Sequence, residues 1–239
     1  MNKRVTCLIM LLFFAVSACR FSGKKIDGNG NIISEKRSAA NISKIKLEGG
    51  MNVIIDNGLA AARVEADENI IPYIVTETDG DWLKIKVKNN VSLQNTKPMT
   101  VYVSLPTVSE IKVAGSGNVS ANGKFSSNNK ISFDISGSGN ITMEVNTPEV
   151  NANIAGSGVL NISGQARTVN VSIAGSGGYE GTNLKAENAD INIAGSGDAA
   201  VFADIVLKAS IAGSGNIKYK GNATVDKHIS GSGEVIKAQ

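Results

Sequence analysis

The sequence is poor in the residues that build most catalytic and metal sites. Its 239 residues include one histidine, two cysteines and one tryptophan, and aromatic residues make up 5% of the chain. A single histidine, His228, leaves no convincing nucleophile–histidine arrangement, and zinc sites lack their usual ligands. His228 occupies a polar position of a strand and is predicted to lie on the solvated surface. We therefore predict a non-enzymatic protein without a metal or a cofactor.

Both cysteines lie in the first 19 residues. Lys3 and Arg4 precede an apolar run from Leu8 to Val16, which is followed by Ser17-Ala18-Cys19. This order is typical of a secretory signal, and the run is too short to span a bilayer. Val16 to Cys19 resembles the lipobox of bacterial lipoproteins, which implies lipid attachment to Cys19; an ordinary signal peptide is the alternative. We predict a signal peptide over residues 1–18 and, because Cys7 is removed with it, no disulfide.

Residues 19–40 are predicted to be the lipidated cysteine and a flexible tether. The stretch after Cys19 is basic, with Arg20, Lys24 and Lys25. In Bacteroidetes-type lipoproteins an acidic cluster at this place is associated with export to the outer face. The basic stretch therefore favours the periplasmic side of the outer membrane over the cell surface. The 24 basic and 21 acidic residues nearly balance, which gives no indication of nucleic-acid binding.

A five-residue block, hydrophobic–(Ala or Ser)–Gly-Ser-Gly, recurs seven times at intervals of 18 to 22 residues. The first glycines of the seven blocks are Gly115, Gly137, Gly156, Gly175, Gly195, Gly213 and Gly231. A fixed period of this size indicates a repeat architecture. It is too short for a propeller blade and lacks the leucine and asparagine pattern of leucine-rich repeats.

Residues on both sides of each block alternate between apolar and polar types. The residue two before each first glycine is always Val or Ile, at Val113, Ile135, Ile154, Ile173, Ile193, Ile211 and Ile229. Alternation at period two predicts strands with one buried face, and glycine is the natural residue for a corner between them. The sequence thus predicts an all-β, single-stranded parallel β-helix (solenoid) with coils of about 19 residues, regular over residues 111–239.

Residues 41–110 carry a less regular version of the coil and are predicted to form irregular N-terminal coils or a cap. Residues 45–53 match residues 111–119 in pattern. Further strands are predicted over 63–66, 83–88 and 100–105. Trp82 is predicted to be a core or cap residue rather than a ligand platform.

Several segments together resemble the DUF2807 family, a head (GIN) domain of predicted autotransporter adhesins that is common in Bacteroidetes. They are Gly-Gly-x-Asn-Val at 49–53, Ala-Asp-Glu-Asn-Ile-Ile at 66–71, Asp-Gly-Asp-Trp-Leu-Lys-Ile at 79–85 and the repeated Gly-Ser-Gly-Asn-Ile. The resemblance spans roughly residues 42–220. It implies a right-handed β-helix-like fold on a secreted or anchored envelope protein, and it implies no particular ligand.

The repeats place serine and asparagine at equivalent positions, which suggests a surface ladder that contacts a ligand. Its candidate members are Ser138, Asn140, Ser157, Ser176, Ser196, Asp198, Ser214 and Asn216. The alternative, which we favour for the serines, is that these side chains satisfy the polar groups of the corners. The asparagine position is also occupied by Val159 and Gly178, so a continuous asparagine ladder is not expected.

Three classes of function remain open. The first is a lipid-anchored envelope protein that binds a glycan or a protein through the sides of the β-helix. The second is a structural protein that self-associates through the ends or faces of the coils, because exposed strand edges recruit partners. The third and least favoured is a polysaccharide-active enzyme. Lyases with this fold cluster charged residues on one face, whereas the charged residues here change type from coil to coil.

Overall fold

The computed structural model describes residues 23–238 as strands joined by short turns, with one 3-10 turn at Ile71–Tyr73 and no α-helix in that range. The predicted all-β parallel solenoid is confirmed. The irregular N-terminal part contains β1 (Lys24–Asp27), β2 (Ile32–Arg37), β3 (Lys44–Gly49), β4 (Asn52–Asn57), β5 (Ala61–Asp67), β6 (Ile74–Asp79), β7 (Trp82–Val87), β8 (Val91–Gln94) and β9 (Thr100–Leu105). The repeats contain β10 (Glu110–Gly115), β11 (Asn118–Ser126), β12 (Ile131–Gly137), β13 (Asn140–Gly156), β14 (Val159–Gly175), β15 (Gly178–Gly181), β16 (Leu184–Gly195), β17 (Asp198–Phe202), β18 (Val206–Gly213), β19 (Asn216–Lys220), β20 (Thr224–Gly231) and β21 (Glu234–Lys237).

Each coil has two sides that meet at a Gly-Ser-Gly corner. The first side is the strand that ends at the first glycine, and the second side is the strand that begins after the second glycine. Strands pair in parallel with their equivalents in the neighbouring coils, and the first glycine of each corner lies opposite the next one, as for Gly137, Gly156 and Gly175. β13 and β14 each run along the second side of one coil and continue into the first side of the next.

The inward residues of the coils form apolar columns. On the first side, the column of Val113, Ile135, Ile154, Ile173, Ile193 and Ile211 is buried to at least 97%. Each side chain packs on its copy one coil away, so no coil buries its apolar face alone. The backbone of each corner is also tied to the coil before it, because every corner serine amide donates to a glycine carbonyl of that coil, as in Ser157 to Gly137 at 2.8 Å.

The first coils are not stacked in chain order. β10 and β11 lie on one side of β3 and β4, as the match between residues 45–53 and 111–119 predicts. The coil made of β7 and β9 lies on the opposite side of β3 and β4, also in parallel. The chain therefore builds β3 and β4, moves outward to the N-terminal end of the solenoid, and returns to add β10.

Antiparallel strands close this N-terminal end. β5 pairs antiparallel with β9, β2 pairs antiparallel with β5, and β6 pairs antiparallel with β7. The prediction of a flexible tether through residue 40 is therefore wrong from β1 onward. β1 pairs with β8, and β2 covers an edge that the solenoid would otherwise expose. Residues 1–22, with the predicted signal peptide and Cys19, lie outside the described part of the chain.

Candidate functional site

The corner serines form a row along one edge of the solenoid. Ser116, Ser138, Ser157, Ser176, Ser196, Ser214 and Ser232 are all exposed. Their backbone amides hold the corners together, whereas their hydroxyls make no hydrogen bond within residues 23–238. The hydroxyls thus do not satisfy the corner backbone, which differs from the alternative favoured by the sequence. They remain open to solvent or to a ligand.

The asparagine and aspartate positions beside the corners are used within the protein. The Asn140 amide nitrogen donates to Asn118 Oδ1 at 2.8 Å, and Asn140 Oδ1 accepts the Val159 amide at 3.1 Å. Asp198 Oδ1 accepts the backbone amide of Asn216 at 2.8 Å. Asn216 Oδ1 in turn accepts the amide of Glu234 at 3.2 Å. These side chains cap the next coil, and Val159 and Gly178 divide them into two groups.

A surface of mainly amide, hydroxyl and methyl groups, which also carries the charged residues Asp134, Asp190 and Lys208, lies on the first side of the repeats, from β12 to β18. We name it the amide face. Its members are the outward residues Ser132, Asp134, Ser136, Asn151, Asn153, Ala155, Asn170, Ser172, Ala174, Asp190, Asn192, Ala194, Ser210 and Ala212, together with Lys208 at its edge. Five strands spaced about 4.8 Å apart give this face a height of roughly 20 Å.

Asparagine side chains on the amide face form hydrogen bonds with their neighbours but keep unused donors and acceptors. Asn170 Nδ2 donates to Asn151 Oδ1 at 2.8 Å, and Asn153 Nδ2 donates to Asp134 Oδ1 at 2.9 Å. A primary amide carries two N–H donors and two acceptor lone pairs, so each asparagine keeps further hydrogen-bonding capacity. These contacts hold the amides in a fixed orientation. The surface therefore presents ordered donors and acceptors at regular intervals.

The part of the same side nearest the N-terminal end is charged but internally neutralised. Lys46 pairs with Glu48 at 2.6 Å, and Lys112 pairs with Glu110 at 2.8 Å. The hydrogen bond with Glu110 raises the pKa of Lys112, so its ammonium group stays charged. Trp82 lies here rather than in the buried core, with its ring centroid 5.2 Å from Lys112 Nζ. This region differs from the amide face because its polar groups are already paired.

The sequence predicted that apolar and polar residues alternate before each corner, but it did not identify the polar positions as a site. The missed residues include Asn153, Asn170 and Asn192. The signal that could have found Asn153 and Asn192 is the residue type three positions before each corner glycine, which is lysine at Lys46 and Lys112, aspartate at Asp134, and amide or hydroxyl from Asn153 to Ser210. Asn170 lies two residues before this position, opposite Asn151. Single motifs do not show this change, because the neighbours on the face are about 19 residues apart.

A second feature is a recess beside the N-terminal cap, with a volume of about 540 Å³. Its apolar wall is formed by Val103 and five alanines, Ala39, Ala40, Ala60, Ala61 and Ala62. Lys36, Arg37 and Arg63 are basic residues at this recess, and Asp56 is its one acidic residue. The Arg63 guanidinium lies 3.6 Å from the centroid of the Tyr102 ring, which fixes its position on the wall.

A family model described as "Putative auto-transporter adhesin, head GIN domain", DUF2807, matches residues 41–223. The chain belongs to this family. The resemblance predicted from the sequence is thereby confirmed. The description of the family as putative adhesins associates it with the cell envelope. No protein with a curated description is similar enough to this chain to count as a relative.

Solved structures share the fold over nearly all of the chain. A protein of Parabacteroides distasonis described as a putative lipid binding protein is 27% identical, with a TM-score of 0.76, and the match covers 90% of this chain and 100% of that one. A putative adhesin of Parabacteroides merdae is 25% identical, with a TM-score of 0.71 and the same coverage. A putative adhesin of Bacteroides fragilis, 22% identical, has a TM-score of 0.81 over 89% of this chain and 100% of that one.

The relatives are described as adhesins or as a lipid binding protein rather than as enzymes. Between residues 23 and 238, no helix is long and apolar enough to cross a membrane. In the same range, no three His, Cys, Asp or Glu side chains converge in a way that could hold a metal ion.

Proposed function

We propose that the chain is a lipid-anchored, adhesin-like protein of the cell envelope that binds glycans through the amide face. The observation that supports a glycan is the chemistry of that face, where twelve of the fifteen side chains are uncharged and eight of them are asparagine amides or serine hydroxyls. Sugar hydroxyl groups are matched by such donors and acceptors. An extended polysaccharide would lie along the coils and repeat its contacts from one strand to the next.

A protein ligand is supported less well by the exposed surface. Binding energy in protein interfaces is concentrated in a few buried aromatic, arginine or other anchor residues. The large apolar side chains exposed in the described range are Leu59, Ile205 and Ile236, and none of them belongs to the amide face. They also lie in separate parts of the chain. We therefore assign the glycan as ligand and leave a protein partner as an outcome of the experiment.

The test is a binding screen of the chain beginning at residue 20, which keeps all 21 strands, against envelope and host polysaccharides. A variant with A174E and A194E adds two carboxylates to exposed positions that stack directly on each other in the amide face. We expect it to lose polysaccharide binding without loss of thermal stability. The matched control, T142E with N161E, adds two carboxylates to stacked exposed positions on the second side and is expected to bind normally. Equal binding by both variants would refute the amide face as the site.

The membrane anchor is a separate part of the proposal. Cys19 would carry acyl chains, which tether a soluble body to a membrane surface. The basic residues after Cys19 support the periplasmic side of the outer membrane. Mass spectrometry of the protein from cells is expected to show an acylated N-terminal Cys19, and a C19A variant is expected to be released from membranes. Protease that digests the protein on intact cells would place it on the outer surface instead.

The recess at the N-terminal cap supports a second candidate function, binding of an anionic amphiphile. Its volume falls within the usual range for small-molecule sites. It combines an apolar wall with Lys36 and with two arginines, Arg37 and Arg63, which pair with Glu35 and Glu65 at 3.3 and 3.2 Å. The description of the Parabacteroides distasonis protein as lipid binding supports the same candidate. We expect calorimetry to detect dodecyl phosphate but neither inorganic phosphate nor dodecyl maltoside. An R63Q variant that binds dodecyl phosphate unchanged would exclude this recess.

A further inference from the structure

The inward columns of the solenoid change from apolar residues to lysine in the last coil. On the first side, the residue four before each corner glycine is apolar at Ile111, Phe133, Ala152, Val171, Ile191 and Ala209. In β20 this position is Lys227, which lies opposite Ala209 in the parallel register. Lys227 is exposed, whereas Ala209 is buried.

The second side changes in the same coil. Its inward column runs from Val201 in β17 to Tyr219 in β19 and then to Lys237 in β21. Lys237 is exposed as well. Two independent columns therefore end in lysine at the same level of the stack. Neither lysine forms an ion pair with any of the residues that the structure describes.

The last coil otherwise has the features of an assembly surface. β20 pairs with β18 and β21 pairs with β19, and no strand of residues 23–238 lies on their other edges. Val225, Ile229 and Val235 are only partly buried in this coil. Unpaired strand edges beside partly exposed apolar side chains are a template for the addition of another strand pair. A strand pair that matches these edges is present in a second copy of this chain.

We propose that Lys227 and Lys237 form a lysine stop that prevents a second copy of the chain from stacking on this coil. The N-terminal end of a second copy is closed by antiparallel strands, so that copy would stack through its own last coil and bury the lysine ammonium groups of both copies against one another. Burial of an unpaired charge is costly, and inward charges are a recognised protection of open strand edges. The acidic residues of the same coil, Asp226 and Glu234, belong to the alternate, outward set of positions. They cannot neutralise the two lysines inside the stack.

The stop would direct partners to the sides of the solenoid and away from this end. It does not depend on the glycan-binding function, because it concerns a different surface. It also separates the two ways in which the coils could self-associate. End-to-end growth at β20 and β21 would be blocked, while contact through the faces would be unaffected.

The experiment compares molar masses by light scattering at a series of micromolar concentrations, with the chain that begins at residue 20. The K227S and K237S double variant removes both inward charges without adding apolar surface. We expect its mean mass to rise at least twofold above that of the unmodified chain as concentration increases. The control, K218S with K220S, removes two outward lysines from β19 and is expected to match the unmodified chain.

A double serine variant that keeps native circular dichroism and the mass of the unmodified chain would overturn the proposal. An equal rise in the control would also overturn it, since a general loss of charge would then explain association. If the double variant does not fold, the single variants K227S and K237S provide the test, because each retains one of the two charges. Each single variant is expected to show a mean mass that rises with concentration above that of the unmodified chain. Unchanged mass in both single variants would refute the stop.

Discussion

The Asp67 carboxylate accepts a hydrogen bond of 2.6 Å from the Thr96 hydroxyl, and Asp67 has no solvent-exposed surface. The backbone amides of Thr96 and Gly30 also donate to it, at 3.0 and 2.8 Å. One buried side chain therefore joins the end of β5, the turn before β2 and the loop before β9. These segments are far apart in sequence, and together they close the N-terminal end of the solenoid.

Replacement of Asp67 by asparagine is expected to destabilise this cap. In either orientation, the new NH2 group would face a backbone N–H, that of Gly30 or that of Thr96, which leaves buried donors unpaired. Urea unfolding should show a lower midpoint for D67N. D27N is the matched control, because the Asp27 side chain is 70% exposed and pairs only at the surface. A D67N midpoint equal to that of D27N would show that the Asp67 contacts do not stabilise the fold.

The stabilisation by Asp67 is expected to depend on pH. The Thr96 hydroxyl is the main reason why the pKa of Asp67 lies below its ordinary value of 3.8. For a carboxylate with a lowered pKa, the stabilisation is fully present above the unfolded-state pKa and is lost as the pH falls through the folded-state pKa. The difference in unfolding free energy between the unmodified chain and D67N should thus be constant near neutral pH and shrink below about pH 4. A difference unchanged in strong acid would contradict this assignment.

The corner glycines are expected to tolerate no side chain. Gly195 has a φ of +129°, and a Cβ at this position would collide with the carbonyl oxygen of Gly175 in the neighbouring coil. Gly123 is a control for the backbone alone, because its φ is +80° and no atom lies within 4 Å of a Cβ built there. In chemical denaturation, we expect G123A to lower the free energy of unfolding by about 1 to 2 kcal/mol and G195A to lower it by about 3 kcal/mol or more. Equal losses of unfolding free energy in the two variants would indicate that the close approach of Gly195 to Gly175 does not add to the effect of G195A.

Replacement of Tyr179 by phenylalanine is expected to stabilise the folded protein. The Tyr179 ring fills the core above Leu160 and uses the space left by the absent side chain of Gly181. The hydroxyl is buried without a partner in the described range, and this burial raises the pKa of Tyr179. Removal of an unsatisfied buried hydroxyl should stabilise Y179F by about 1 kcal/mol. Y102F, which loses a partly exposed contact to Glu65, should unfold at nearly the same denaturant concentration as the unmodified chain.

The asparagines beside the corners are expected to contribute stability rather than binding. Asn140 holds the Val159 amide and Asn118, so N140A should lower the unfolding free energy by about 1 kcal/mol. N161A is the control, because Asn161 is exposed and its side chain makes no hydrogen bond within the described chain. Polysaccharide binding should survive in both variants. Loss of polysaccharide binding by N140A at unchanged stability would indicate that the binding site lies at the corners rather than on the amide face.

Sequence patterns predicted the regular coils well because each coil obeys local rules. The inward isoleucines and the corner glycines repeat at nearly equal intervals, so the period, the in-phase corners and the buried columns follow from them. The serine row follows for the same reason. The use of the serine hydroxyls does not follow, because a hydroxyl that is close to its own corner can be either bonded or free. Only the path of the backbone amides shows that the corners are satisfied without them.

The sequence by itself determined the solenoid, the position of its corners and the composition of its core, because these depend on alternation within a strand and on the conformational freedom of glycine. The order of the first coils was decided only by the tertiary structure. β7 and β9 lack the Gly-Ser-Gly corner, and their place below β3 and β4 depends on pairing between distant segments. The amide face was decided in the same way, because strand pairing brings residues about 19 positions apart to within roughly 5 Å of one another. The hydrogen bonds of the buried Asp67 were also decided only by the tertiary structure, since its partners become neighbours only when the cap closes.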